Sequence, residues 1–295
     1  MTSEEDSGDP KRPQFGSRFL TDDKDVFSHN AWDQIDWTEE QLAEVDEKIQ
    51  KNSADRVDTD VKNDFLSRAG HYWNKFYETH QNKFFKDRHW LFTEFPELLS
   101  KEVVNIFEIG CGVGNTVFPL LALRESPQTM IYCCDFSPLA IDILKSNDLF
   151  DENRCKPFVC DVTSDVLSLP FDESSLDVIV SIFTLSAIPP KDIPRVISNL
   201  CRFLKPGGLF LFRDYGKYDL AQVRFKKGSC LEDNFYARGD GTMAYFFTED
   251  EVDKYFVDAG LVKKSLITDK RLQVNRGKQL KMYRIWIQAK YQKPG

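Results

Sequence analysis

Residues 103–115, VVNIFEIGCGVGN, constrain the fold of this chain more than any other stretch. The apolar run 103–107 reads as a buried strand with Glu108 at its carboxyl end. Gly110, Gly112 and Gly114 then predict a tight turn, because a Cβ there either blocks the turn or holds a ligand away. Residues 116–123 read as a helix leaving it. Strand, glycine turn and helix together place backbone N–H groups beside a ligand at the strand's carboxyl edge. The competing reading is a loop that merely turns, and the acidic residues downstream argue against it. Asp135 ends the next apolar run, 130–134, at about the 20-residue offset where a carboxylate grips a ribose diol. Asp161 ends a third run, 156–160. Glu108, Asp135 and Asp161 at successive strand ends predict a bound nucleoside.

The spelling decides between nucleosides. The dinucleotide fingerprint wants G-x-G-x-x-G/A, and Asn115 stands at its last position. An oxidoreductase also finds no catalytic constellation here. E-x-G-C-G-x-G instead resembles the first motif of class I S-adenosylmethionine (SAM) methyltransferases.

The rhythm continues beyond the loop. A helix is expected over 137–147, and 176–182 (LDVIVSI) has the unbroken apolarity of a central parallel strand. Residues 183–188 follow it onto the active edge. A helix over 189–203, a turn at 205–208 (KPGG) and a strand over 208–212 then deliver Arg213, Asp214 and Tyr215 to that edge. A helix over 248–259 and strands over 261–268 and 279–291 close the chain. Alternating strands and helices mean an α/β fold with a mostly parallel sheet, helices on both faces and ligands beyond the carboxyl ends. Residues 215–246 interrupt the rhythm with aromatics, bases and glycines, and read as a substrate-facing insertion.

The net charge of −8 argues against a generally basic nucleic-acid binder. The charge is unevenly spread, however. Residues 261–295 hold ten Lys/Arg and one acid, Asp269, a balance of +9 that leaves −17 for the rest. Such a block can form a basic face on an acidic protein, or an edge strand guarded by lysines. The seven cysteines form no C-x-x-C, and with four histidines no metal pattern emerges. This is intracellular cysteine usage. No apolar run has membrane-spanning length, and Glu4, Glu5, Asp6 and Asp9 are wrong for a mitochondrial transit peptide. The expectation is a cytoplasmic protein with no metal and no membrane contact.

Three parts are expected: a polar leader over 1–60, a helical cap over 61–100, and a main domain over 101–295. The leader carries two aromatic islands, 15–20 and 29–37, and a capping-box signature, T-E-E-Q, that starts a helix at Thr38. Trp32 and Trp37 in so polar a segment read as a strap docking on the main domain, or on RNA. In the cap, Trp73 and Tyr77 share a helix face. FFKDRHW, from Phe84, alternates aromatics with Lys, Asp, Arg and His. That mixture suits a base-binding pocket, the plainer alternative being a turn in which Asp87 holds Arg88.

FFKDRHW, EIGCGVGN from Glu108, LFRDYG from Leu211 and FYARGDGT from Phe235 together resemble the tRNA N3-methylcytidine methyltransferases, which are class I enzymes. The leader's QFGSRFL and HNAWDQIDW resemble the branch acting on threonine and arginine tRNAs. The resemblance implies a seven-stranded Rossmann-like sheet, SAM as methyl donor, and a target cytidine opening the anticodon loop (position 32 in tRNA numbering). It further implies the anticodon stem-loop as partner and leaves room for an accessory protein that delivers the tRNA. Carried over residue by residue, Trp73 and Tyr77 close over the methionine end of SAM and Gly110 gives it room. Asp135 takes the ribose hydroxyls. Asp161, with Val162 beside it, reads the adenine amino group, and Ile182 packs on the adenine.

Cytosine N3 has an in-plane lone pair and no proton, so the chemistry asks for orientation and charge rather than a base. Asp214 is the candidate for steadying the positive charge on the ring, and Arg88 and Arg213 for holding the base carbonyl or a phosphate. His89, Ser186, Tyr218 and Arg238 are candidates for the substrate pocket. The plainer reading of Asp214 is an ion pair with Arg213. Two other functional classes stay open at this point: a methyltransferase of proteins or small molecules, and a non-catalytic RNA-binding subunit.

Overall fold

The computed structural model describes residues 18–124 and 128–295. The acidic first ten residues, and Phe15, Gly16 and Ser17 of the first aromatic island, lie outside the described residues. The leader forms strand β1 (Ala31–Asp33) and helix α1 (Glu39–Ser53). Thr38 caps α1 as its sequence predicts: its Oγ1 accepts from the Gln41 N–H, and Gln41 Oε1 accepts from the Thr38 N–H. Helices α2 (Thr59–Ser67) and α3 (Ala69–His80) follow, then the non-helical FFKDRHW segment and the single turn α4 (Leu91–Glu94).

The alternating body comprises β2 (Asn105–Ile109), α5 (Val117–Leu123), β3 (Met130–Asp135), α6 (Pro138–Lys145), β4 (Cys155–Val159), β5 (Leu176–Ile182), α7 (Ile193–Cys201) and β6 (Leu204–Tyr215). The insertion holds α8 (Leu220–Val223) and a separate antiparallel sheet of β7 (Cys230–Glu232), β8 (Phe235–Ala237) and β9 (Met243–Tyr245). Helix α9 (Glu249–Asp258) leads to the closing hairpin of β10 (Val262–Asn275) and β11 (Leu280–Gln292).

The main sheet runs β1-β10-β11-β6-β5-β2-β3-β4. Strands β2 to β6 are parallel, and β11 is antiparallel to both β6 and β10. Seven strands match the expectation, and the leader adds an eighth by pairing β1 with β10. Side chains alternate along each strand. Phe107, Ile179, Phe210 and Phe212 therefore enter the core on one face, while Ile106, Val178, Val180 and Leu211 enter the core on the other. Helices cover both, which is why β5 can be apolar on both faces apart from Asp177 and Ser181.

Two local readings change. Residues 205–208 are not a separate turn but a bulge inside β6, where the pairing with β5 jumps from Leu176↔Leu204 to Val178↔Leu209. The helix expected over 189–203 is α7 alone, preceded by a 3-10 turn at Pro190–Asp192. Pro189, Pro190 and Pro194 explain it: each removes a backbone donor and restricts the residue before it.

The β10–β11 hairpin outruns the sheet. β11 pairs with β6 only from Trp286 to Gln292, while its pairing with β10 continues from Ile285↔Lys270 to Leu280↔Asn275. At ~3.4 Å per residue the arm stands roughly 20 Å beyond Tyr215, on the carboxyl side of the sheet. The leader braces it. Trp32 is buried with Leu272 and Val274, and Trp37 stacks on Tyr283 at 3.9 Å with the rings 23° apart.

Candidate active site

A cavity of about 920 Å³ opens at the carboxyl ends of the parallel strands. Its floor is the glycine loop. Gly110 has φ +61° and Gly112 φ +53°, a region costly for residues with a Cβ. A Cβ on Gly110 would stand 2.3 Å from Thr184 Cγ2, and one on Gly112 would stand 2.7 Å from Tyr77 Oη. The loop is thus held between β5's exit and α3, and nothing bulkier than glycine fits.

Two buried carboxylates face this loop. Asp135 Oδ2 accepts from the Gly112 N–H at 3.0 Å, and Oδ1 accepts from the Ser137 N–H at 2.9 Å. Burial nonetheless pushes its pKa up to about 6. Burial lifts Glu108 further, to about 7, moderated by Arg88, whose Nη1 lies 3.5 Å away, and by Thr116. The Glu108 carboxylate meets Arg88 and Thr116 and does not line the cavity. Ser137 Oγ donates to Asn74 Oδ1 at 2.5 Å, tying α3 to the start of α6.

Asn115, the residue that breaks the dinucleotide fingerprint, clamps FFKDRHW onto the glycine loop. Its Nδ2 donates to Phe85 O and Asp87 Oδ1, and its carbonyl accepts from the Arg88 N–H. Asp87 therefore does not hold Arg88. The Arg88 guanidinium instead donates to Thr116 Oγ1 at 3.0 Å and reaches Glu108.

All seven expected cofactor residues, Trp73, Tyr77, Gly110, Asp135, Asp161, Val162 and Ile182, line the cavity. Trp73 and Tyr77 lie one turn apart on α3, their rings 6.1 Å apart. Asp161 Oδ1 accepts from the Thr163 N–H and Oγ1, which leaves Oδ2 able to accept from a ligand.

The substrate candidates divide. Arg88, Ser186 and Arg238 line the cavity, whereas Asp214, Arg213, His89 and Tyr218 do not. Asp214 is fully buried, accepting from the Ser186 N–H at 2.9 Å and the Tyr215 N–H at 2.8 Å, and burial raises its pKa to about 6. It lies behind two residues that line the cavity rather than in the cavity itself. Arg213 cannot pair with it, because successive side chains on β6 point to opposite faces. The Arg213 guanidinium sits 5.0 Å from the Trp90 ring and 4.8 Å from the Trp286 ring, bonded to Asp269 and Gln288. Its donors are spent on the protein. Tyr218 likewise donates its hydroxyl to Asp46 of α1 at 3.0 Å. His89 is exposed outside the cavity.

The structure singles out residues that the sequence placed only as parts of segments, and one, Trp286, that it did not place at the site. Phe183, just past β5, takes φ +57°, a genuine outlier for an aromatic residue and the kind of strain that gathers at functional sites. Its ring lies 5.0 Å from Tyr215 and 6.0 Å from the Arg88 guanidinium. Phe84, Trp90, Tyr215 and Trp286 also line the cavity. Phe183 follows the most legible strand in the chain, so its position was predictable. Trp286 sits in β11, and only the register of that strand reveals which way it serves. Among the described residues, no group of three or more His, Cys, Asp or Glu could hold a metal ion, and no helix is long and apolar enough to cross a membrane.

Sheet order, glycine loop and acidic strand ends define a class I methyltransferase. A methyltransferase-domain family model matches residues 107–210. The fold is shared with a methyltransferase structure from Clostridium acetobutylicum, described as S-adenosylmethionine-dependent, at TM-score 0.53 and 15% identity, covering 76% of this chain and 99% of that one. Over 95% of its length the chain is 55% identical to the tRNA N(3)-methylcytidine methyltransferase Mettl2 of Drosophila melanogaster, spanning 88% of that protein. It is 43% identical, again over 95% of its length, to 46% of the tRNA(Thr) (cytosine(32)-N(3))-methyltransferase of Saccharomyces cerevisiae. The chain belongs to the tRNA N3-cytidine methyltransferase family.

Proposed function

We propose that this chain methylates N3 of a cytidine in tRNA, with SAM as donor and cytidine 32 of threonine tRNA as target, arginine tRNA being the second candidate. The observation that carries the reading is one cavity that joins the buried Asp135 carboxylate and a glycine floor to the aromatic and basic FFKDRHW wall. SAM fits the first half. It carries an ammonium and a sulfonium, and Asp135 puts a buried carboxylate on the cavity wall, with Glu108 buried behind the glycine loop beside Arg88. Asp135 and Asp161 keep acceptor capacity for ribose hydroxyls and an adenine amino group, and Gly110 and Gly112 leave the space a Cβ would fill.

When bound, SAM supplies an electrophilic methyl group to the N3 lone pair, so the chain need hold no general base. Its own residues hold the flipped base in line and offset ring charge. Arg88, Phe84 and Phe183 are placed for the base. Asp214 acts from behind, fixing Ser186 and Tyr215 through their N–H groups and adding negative potential. Arg213 props the Trp90–Trp286 wall. Residues 61–100 serve as the cap of this site and the leader as the brace of the hairpin arm. Arg276, Lys278 and Lys281 are exposed at or near the arm's end and suit the anticodon-stem phosphates. A cytoplasmic location and an accessory protein that delivers the tRNA accompany this reading.

The test is to incubate the purified chain with SAM and unmodified total tRNA, then score digested nucleosides by mass spectrometry. N3-methylcytidine is expected, and is lost in Asp135→Ala. A methylated protein or small molecule in its place would overturn the assignment.

A further inference from the structure

A second cleft of about 450 Å³ lies between α3 and the insertion. It shares Phe76, Arg238 and Asp240 with the large cavity, so the two are neighbours across one wall. None of its other residues has a part in the cofactor site. Phe65 and Tyr72 present rings 5.5 Å apart, and the His80 ring lies 4.7 Å from that of Phe76. Lys75 is exposed on the cleft, and the exposed Lys226 and Lys227 immediately precede Gly228 of its rim. Its one acid, Asp240, already accepts from the Thr242 N–H and Oγ1. Arg238 Nη1 donates to Met243 O at 3.0 Å and Thr242 Oγ1 at 3.3 Å, which fixes the guanidinium at the junction.

Aromatic faces beside exposed cations are the composition of single-stranded nucleic-acid sites. A loop strand that delivers one base into the large cavity must lay the adjoining nucleotide along its rim. We propose that the cleft is a second nucleotide subsite, which takes the base next to the methylated cytidine while Arg238 binds the phosphate between them. This rests on the reading that the large cavity takes the flipped cytidine. The two subsites then measure a dinucleotide step, which explains why the insertion packs so closely on α3: a Cβ on Gly241 would stand 2.1 Å from the Tyr72 ring.

Gly239 provides a clean test. It lines the cleft, lies outside the left-handed region, and a Cβ there meets nothing within 4 Å. Gly239→Leu therefore adds bulk at the cleft without straining the chain. Wild type and variant are assayed on threonine tRNA assembled with an abasic nucleotide on the 5′ or the 3′ side of cytidine 32. On wild type, one of the two abasic substrates should lose roughly 5- to 150-fold in kcat/KM, the range of one base–aromatic stack. Gly239→Leu should lose a comparable factor on intact tRNA and nothing further on that abasic substrate, with SAM affinity by calorimetry within about twofold of wild type. Lys75→Ala should weaken intact tRNA and reduce the salt slope by about one charge. Full wild-type activity on both abasic substrates, or full activity of Gly239→Leu on intact tRNA, overturns the subsite. If wild type forms no N3-methylcytidine even on intact tRNA, the functional reading itself falls, and the subsite with it.

Discussion

Gly112→Ala probes the site where its geometry is tightest. Gly112 has φ +53°, where a residue with a Cβ loses roughly 1–2 kcal/mol. The new Cβ would also stand 2.7 Å from Tyr77 Oη. Tyr77 is only 4% exposed and packed against Phe76 and Val113, so it cannot simply swing away. Overpacking of that kind costs about 1–3 kcal/mol. The total of about 2–5 kcal/mol falls on the loop conformation that receives the cofactor, so affinity should drop by about 30-fold or more. The two parts separate in a cycle. Tyr77→Phe removes Oη and with it the collision, but not the backbone strain. Titration calorimetry with S-adenosylhomocysteine on wild type, both single variants and the double variant should show the double binding about 1–3 kcal/mol better than the sum of singles. It should still bind about 1–2 kcal/mol worse than Tyr77→Phe alone. Additivity within about 0.5 kcal/mol would mean Tyr77 does not sit over the loop, and the placement of α3 as the cap of the cavity would be wrong.

Acidity gives two opposed signs. Cofactor affinity should fall as pH drops through about 6, because Asp135 then gains the proton that removes its acceptor character. Glu108 acts on the stability of the cofactor-free protein in the opposite direction. Its pKa is raised from 4.5 to about 7, so the folded state holds the proton more tightly, and this contribution is present below 4.5 and lost as pH rises to about 7. Glu108→Gln should accordingly raise the melting temperature at pH 8, with an upper bound on the order of 3 kcal/mol before the loss of Arg88's partner is counted; an unchanged or lower value would contradict the burial argument. Arg213→Lys should act on stability rather than chemistry, costing on the order of 1–3 kcal/mol because an ammonium cannot reproduce the guanidinium fork that reaches Gln288 and Asp269 between two tryptophans. A stable variant with collapsed kcat would return Arg213 to the reacting centre. Trp37→Ala, which unstacks the leader from Tyr283, should leave cofactor affinity intact, since no described residue before Leu66 lines the cavity. It should weaken tRNA binding severalfold, and equal weakening of both ligands would remove the brace.

The parallel body was readable because its signals are local. Strands β2 and β3 are apolar runs ended by a glycine or an acid, and β5 matches its reading residue for residue. The seven residues expected at the cofactor reach one cavity for the same reason, since they sit at strand ends or one helical turn apart. Substrate residues were harder. Arg213 and Asp214 look alike in sequence, and only the pleat of β6 separates a prop for two tryptophans from a carboxylate behind the cavity. Tyr218 was misplaced because its partner, Asp46, lies 172 residues away. The capping box at Thr38 was plain, whereas the pairing of β1 with β10 depends on a contact between opposite ends of the chain.

The most direct measurement uses methyl-labelled SAM and two threonine tRNA transcripts identical except at position 32, cytidine in one and uridine in the other. Label released as N3-methylcytidine from the first transcript alone is the expected result. Equal labelling of both, or label on a base other than cytidine, would contradict the account at its centre.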